Sequence, residues 1–572
     1  MAAAGSSCLS DLSDDLLRRI LFFAPAREAA ATAVLSRRWR PLCRTSGAVN
    51  IDSRSYDHLY PETQEEASRR RRGERSFSWP KREAFFRGAK AALAAAEGRV
   101  KRLTFTVTEE SKIHLTHRPL TATKKTRIHR AHHESLMEHD LLHAVLSNPA
   151  ARRVEELRVN IDGLNLRCPL RFGSLPREAL QVLDVAGCSP LTAPPPGAAA
   201  FPRLASLRLH GCSVSIIDLQ RIVDAAPKLA TLHLESLYLR HHEETMDELP
   251  PTVVDIALFQ IRCRAVTALV FADCSYETRY YYGGKVGVGV ELDAPMLQYF
   301  KYKGAVDLLH HLSLKPQASS SMIRVDVHIS VDSRRYIPAG DRTIPAEQRF
   351  WRFFQYFHAT KFVKLKLDFC MDTIAVVDKS VLDELLGCKF FDKVELLELE
   401  AQYEPAGETS MVTLANLLHC CPMVRDLRLK LIKGRGSWSA SSTKSKESQK
   451  DFDKSVSEFR RRKRPMVSPR GDDDDGDNYE GFGIPALREQ SFCCLQSHLR
   501  RVSFHFRMED SNCLGVQLAK FFAEDAMVLE EMFIDDGNQR MSEHINPSFR
   551  KWIANSEKRR ESTSVVVLPI ET

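Results

Sequence analysis

The feature that most constrains this chain is a short apolar frame that returns along most of its length. An apolar residue is followed by two variable residues, a second apolar residue, one variable residue and a third apolar residue. The frame is plainest at Val154/Leu157/Val159, Leu180/Leu183/Val185, Leu204/Leu207/Leu209 and Leu229/Leu232/Leu234. The last three stand about 25 residues apart. It recurs at Val100/Leu103/Phe105, Val266/Leu269/Phe271, Leu297/Phe300/Tyr302, Phe362/Leu365/Leu367, Val394/Leu397/Leu399, Val424/Leu427/Leu429, Leu499/Val502/Phe504 and Leu529/Met532/Ile534. The apolar-variable-apolar triplet is a short strand with alternate side chains pointing inward. One such strand cannot bury its apolar side alone, so the repeats must stack and share a core. A chain of 572 residues is too long for one ordinary core, and stacking lets the core grow with length. Spacing is less regular later in the chain, which implies insertions.

Helical stretches fall between the strands, at Ser135 to Leu146 and Ile217 to Ala226. The period and the frame are those of leucine-rich repeats. The fold class expected is therefore α/β: an irregular leucine-rich-repeat solenoid with parallel strands on the concave face and helices outside. Residues between the paired apolar positions should face outward: Arg158, Asp184, Arg208, His233, Lys301, Lys366, Glu398 and Arg428. Five of these are Lys or Arg and one is His, so Arg158, Arg208, His233, Lys301, Lys366 and Arg428 are candidate contacts to an acidic or phosphorylated protein, or simply solvated positions. Cys188, Cys212, Cys274 and Cys370 each fall five residues after the central apolar position. In leucine-rich repeats that slot points inward, so all four are expected to be buried thiols. Equivalent slots of distant repeats cannot converge on one metal ion.

The first forty-five residues follow another rule. Leu12, Leu16 and Ile20 recur every four residues, with Leu17 and Leu21 beside them, giving an apolar stripe on a short helix. Ser13 is placed to cap it, and Asp14 and Asp15 suit the positive end of its dipole. Pro25 ends that helix, Ala26 to Leu35 is a strong helix former, and Ser36 begins a third short helix that carries Trp39 and is limited by Pro41. Three helices this short carry more apolar surface than they can bury among themselves.

The segment containing "DDLLRRIL", "PAREA" and "VLSRRWR" resembles the plant form of the F-box. The resemblance implies docking onto an SKP-family adaptor, and through it onto cullin and RING subunits. It assigns Leu12, Leu16, Ile20, Leu21, Pro25, Leu35, Trp39 and Leu42 to the core or adaptor surface, with Trp39 the leading docking residue. Two positions depart from the family: Leu12-Ser13 stands where Leu-Pro is usual, and Cys43 where an aromatic is usual. Further on, "LDAPMLQYFKYKG" resembles the repeat region of plant F-box proteins, and "LAKFFAEDAMVLEEMFIDD" with the closing "SVVVLP" resembles their terminal FBD module.

The resulting division is an F-box over 9–46, a linker with a basic run and a helix over 47–98, the solenoid over 99–433, a charged insertion over 434–485 and FBD-like repeats over 486–569. The insertion is rich in Ser, Lys and Gly and holds Asp472 to Asp475, a composition that reads as disordered. Its cluster Arg460, Arg461, Arg462, Lys463 and Arg464 reads either as a nuclear localisation signal or as a solvated charge run. The expected localisation is nucleus and/or cytoplasm.

Other classes find little support. The net charge of +8 is modest for this length, and the Arg69–Arg72 run lacks interleaved aromatics, so nucleic acid is not an expected partner. No run of about 18 apolar residues and no basic-then-apolar leader is present, so neither a membrane span nor a secretory signal is expected and the fourteen cysteines should be reduced. The stretch Gly283–Gly289 lacks the strand–loop–helix setting of a phosphate cradle and reads as a hairpin turn. His132, His133, His139 and His143 lack two further metal ligands nearby. No catalytic motif, metal or cofactor is expected. The function expected is substrate recognition for an SKP/cullin/F-box ubiquitin ligase. Beside it stand a non-degradative scaffold, raised by Ser13 and Cys43, and a small-molecule receptor using the solenoid.

Overall fold

A computed structural model describes residues 11–59, 79–96, 100–108, 141–162, 168–196, 200–240, 256–281, 284–330, 344–387, 390–403, 410–433, 484–488, 490–506 and 514–535. By contact the chain divides into two units, Met1–Met296 and Leu297–Thr572.

The first unit opens with α1 (Asp14–Phe23), α2 (Ala26–Leu35) and α3 (Trp39–Arg44). Ser13 sits at the N-cap of α1, but its side chain makes no capping bond; only its carbonyl is used, accepting from Leu17 N at 3.0 Å. Pro41 lies inside α3 rather than limiting it, because in the first turn of a helix the missing N–H has no intrahelical partner to lose.

Seven parallel strands follow in chain order: β1 (Ala48–Asp52), β2 (Arg102–Val107), β3 (Glu156–Ile161), β4 (Val182–Ala186), β5 (Ser206–His210), β6 (Thr231–Glu235) and β7 (Ala268–Ala272). The register aligns the frames: Leu103, Leu157, Leu183, Leu207, Leu232 and Leu269 form one buried row, and Phe105, Val159, Val185, Leu209, Leu234 and Phe271 the next. The sheet begins earlier than the frames indicated. Strand β1 lies in the stretch read as linker, and its five residues hold only the pair Val49/Ile51 to signal it. Helix Ile216–Asp224 supplies the opposite layer, burying Leu219, Ile222 and Val223.

Four successive repeats leave the sheet by one device. Gly187, Gly211, Ser236 and Asp273 each adopt the left-handed conformation, and the next residue, Cys188, Cys212, Leu237 or Cys274, is buried. At Gly187 no other residue fits: its φ is +71°, and an added Cβ would lie 1.8 Å from the Ile161 carbonyl oxygen. After each of β3 to β7 comes one short strand of a second parallel ladder: Leu170–Arg171, Leu191–Thr192, Ser213–Ser215, Tyr238–Arg240 and Ser275–Tyr276. The glycine-rich stretch is a hairpin arm: Gly284–Asp293 pairs antiparallel with Thr278–Tyr281, Tyr281 opposite Gly284.

The second unit repeats the parallel order with β8 (Tyr299–Ala305), β9 (Arg324–Ser330), β10 (Phe362–Cys370), β11 (Leu396–Tyr403), β12 (Asp426–Lys433), β13 (Arg501–Phe506) and β14 (Glu531–Asp535). Strand β9 carries the frame Met322/Val325/Val327, a repeat additional to those read from the sequence. Its core is the aromatic cluster of Phe350, Trp351, Phe354, Phe357 and Phe391. Here one assignment is corrected. Val363 pairs with Leu397 and Leu365 with Leu399, so the frame of β10 starts two residues before the expected Leu365/Leu367. Cys370 therefore misses the inward slot; it ends β10 half-buried, beyond a register shift. Cys188, Cys212 and Cys274 are buried as expected.

The charged insertion, with Arg460–Arg464, lies outside the described residues but for its closing residues 484 and 485, as do His132, His133 and His139 and the closing "SVVVLP". Among the described residues no helix is long and apolar enough to cross a membrane, and no group of His, Cys, Asp or Glu could hold a metal ion.

Candidate protein-docking site

The three opening helices close around a small core of Leu17, Leu21, Ala29 and Leu42, against which Leu12, Ala24, Trp39 and Cys43 pack part-buried. Burial pushes the Cys43 thiol above its ordinary pKa despite the neighbouring Arg44. Arg38 ties α3 to the start of α1, donating to Asp14 at 2.8 Å and to the Leu12 carbonyl at 2.6 Å. Trp39 is thus half committed to the module's own interior.

The surface left over is the other side of α1. Leu16, Ile20 and Phe23 are 53%, 42% and 54% exposed, and their spacing of four and three residues sets them in one stripe. Val34 near the end of α2 is 78% exposed. Of the eight residues assigned from the sequence, Leu16 and Ile20 are open to a partner, Leu21 and Leu42 are core, Leu12, Pro25 and Trp39 are intermediate, and the Leu35 side chain lies outside the described set. Phe23 and Val34 escaped the sequence reading; the signal for Phe23 was its place seven residues after Leu16.

The end of α1 and the start of α2 grip the first strands, with Phe23 of the stripe taking part. Asn50 on β1 donates from Nδ2 to the carbonyls of Phe22 and Ala24, at 2.9 and 3.0 Å, satisfying groups at the end of α1 that lack helical partners. Arg102 on β2 lies 5.4 and 5.3 Å from the ring centres of Phe22 and Phe23. Arg27 donates to the Ser55 carbonyl and stacks over Tyr56, and Ser55 donates to Glu28 at 2.9 Å. The helices therefore cover the terminal strand and still present an apolar stripe.

On the repeat faces, Arg158, Asp184, Arg208 and His233 form one outward row of the first unit, in register with Asn50 and Thr104. In the second unit the corresponding row is Lys301, Asp326, Lys364, Glu398 and Arg428; Lys366 stands one step along, with Lys303, His328, Glu400 and Lys430. These faces are not arrays of free cations. Arg158 pairs with Glu156 at 2.6 Å, Arg208 with Glu235 at 2.8 Å, Lys366 with Glu400 at 3.1 Å and Arg428 with Asp426 at 3.1 Å. Lys301 is exposed and without an ion pair among the described residues.

A three-helix docking module seated on the end strand of a parallel-strand repeat sheet defines the architecture of an F-box protein with leucine-rich repeats. Comparison with known proteins agrees at both parts. The F-box domain model matches residues 9–47, and the model described as "FBD-associated F-box protein At5g56370, LRR repeats" matches residues 142–268. The putative FBD-associated F-box protein At3g12840 of Arabidopsis thaliana is 49% identical over 45 residues, 8% of this chain and 24% of that protein. The Arabidopsis F-box/FBD/LRR-repeat proteins At1g80470 and At4g00160 are 43% and 42% identical over 53 residues, 9% of this chain and 11% and 12% of theirs. Each match thus spans a quarter or less of the relative's length. Together these findings show an F-box segment and a leucine-rich-repeat segment similar to those of plant F-box/leucine-rich-repeat proteins.

Proposed function

We propose that this chain is the substrate-selecting adaptor of an SKP/cullin/F-box ubiquitin ligase, its helices docking an SKP-family subunit and its repeats holding a protein substrate. The observation that carries the reading is the stripe of Leu16, Ile20 and Phe23, exposed on a helix whose opposite side already has a satisfied core. Exposed apolar surface gathered on one helix face is a binding surface in want of a partner. No catalytic residue is needed: holding a substrate near an activated ubiquitin raises the effective concentration of the acceptor lysine. Asn50 holds backbone carbonyls of α1 rather than side chains of the stripe, and although Phe23 also meets Arg102 on the sheet, Leu16 and Ile20 stay exposed for a partner. Co-purification of an SKP-family protein with the wild-type chain, lost on Leu16→Ala with Ile20→Ala, tests the proposal; equal recovery with both chains refutes it.

A further inference from the structure

On the outward face of the second unit, carboxylates and cations sit at different depths. Glu400 on β11 lies between Lys366 on β10 and Lys430 on β12, at 3.1 and 3.2 Å. Its side chain is 16% exposed, while the two lysines are 35% and 44% exposed. Asp426 on β12 repeats the arrangement with Arg428 at 3.1 Å and Arg501 on β13 at 3.5 Å. It is 8% exposed, against 50% and 59% for the arginines. Each of these two carboxylates lies under two more exposed cations; among the described residues Glu398 on β11 is matched by Lys364 alone, and Asp368 on β10, 42% exposed, stands 3.9 Å from Lys366, so the surplus of positive charge lies toward Arg428, Lys430 and Arg501. Burial acts to raise the Glu400 pKa, but the hydrogen bonds and charges of Lys366 and Lys430 outweigh it and hold it below its ordinary value, so the anchor stays ionised at neutral pH.

We propose that this strip, across β10 to β13, binds a carboxylate-rich segment of a protein partner. The inference rests on the repeats being the partner-binding part of the chain, and it names the chemistry of that partner. Four cation heads are held in place before any ligand arrives, so less side-chain freedom is lost on binding. Four strands at about 4.8 Å spacing make a strip about 15 Å across, the reach of four or five residues of extended chain. The strip is bounded on one side, because β14 beyond Arg501 carries Glu531 and Asp535.

The test uses the full chain and a fluorescein-labelled ten-residue glutamate-rich peptide followed by anisotropy, beside a lysine-rich peptide of equal length. Selective binding of the glutamate peptide, weakening as salt rises, is expected. Lys366→Glu with Lys430→Glu should weaken it by about tenfold, since each exposed ion pair contributes up to about 1 kcal/mol and reversal turns attraction into repulsion. If that variant does not fold, Lys366→Gln with Lys430→Gln should weaken binding by about threefold. Equal binding of both peptides, undiminished binding by a folded variant, or binding confined to a phosphorylated peptide overturns the proposal. The Leu16→Ala, Ile20→Ala chain should bind the glutamate peptide as wild type does, so failure of adaptor docking and failure of this strip appear in separate arms.

Discussion

Truncating Leu16 and Ile20 together separates docking from folding. Complete burial of a leucine or isoleucine side chain contributes about 1.5–3 kcal/mol. Both residues are already about half hidden by their own helix, with 53% and 42% exposure left for a partner to cover. About 1 kcal/mol each, or about 2 kcal/mol for the pair, then remains to be gained on docking. At about 1.4 kcal/mol per decade, the double alanine variant should bind an SKP-family protein about thirtyfold more weakly. Its melting temperature should barely change, because neither side chain belongs to the core of Leu17, Leu21, Ala29 and Leu42. Leu17→Ala is the contrasting control: fully buried, it should destabilise the module by about 3 kcal/mol or more through the cavity it leaves. Isothermal titration against a purified SKP-family protein, with thermal melts of each variant, gives both quantities. Unchanged affinity in the Leu16/Ile20 variant would refute the assignment of this stripe, and a large drop in its melting temperature would show that the two side chains support the fold instead.

Gly187→Ala should cost about 1 kcal/mol for its positive φ and more for the collision with the Ile161 carbonyl, visible as a lowered midpoint in urea unfolding. Asn50→Ala removes two hydrogen bonds at the end of α1 and should loosen the module by about 1–2 kcal/mol, read as faster amide exchange in α1 with adaptor affinity retained. Burial pushes the Cys212 thiol up to about 11 and the Cys274 thiol to about 12, so neither should react with a thiol reagent in the folded chain at pH 8. Because these folded values lie above the ordinary 9.0, the unfolded chain loses its protons first, and stability should fall as pH rises from about 9 towards 11–12. Denaturant midpoints measured across that range check the sign.

The repeat architecture was legible because a strand that must bury alternate side chains leaves a countable trace. Leu157 to Leu269 appear in the structure in the rows their spacing implied. The trace fails where a strand is short or a frame is doubled. In β1 only Val49 and Ile51 turn inward, and in β10 Val363, Leu365 and Leu367 are all buried, so sequence could not tell which pair aligns with Leu397 and Leu399. Hydrogen bonding to β11 made that choice and carried Cys370 out of its slot.

The helical stripe shows the same division. Periodicity alone determined that α1 is apolar on more than one side, since Leu16, Ile20 and Phe23 are spaced as regularly as Leu17 and Leu21. Which set faces inward was decided by where α2 and α3 pack, and they took Leu17 and Leu21 together with half of Trp39. Charge behaved likewise. Sequence counted the cations on the repeat face, but only the folded sheet brought Glu400 beneath Lys366 and Lys430, because those partners are 34 and 30 residues away and meet only through strand register.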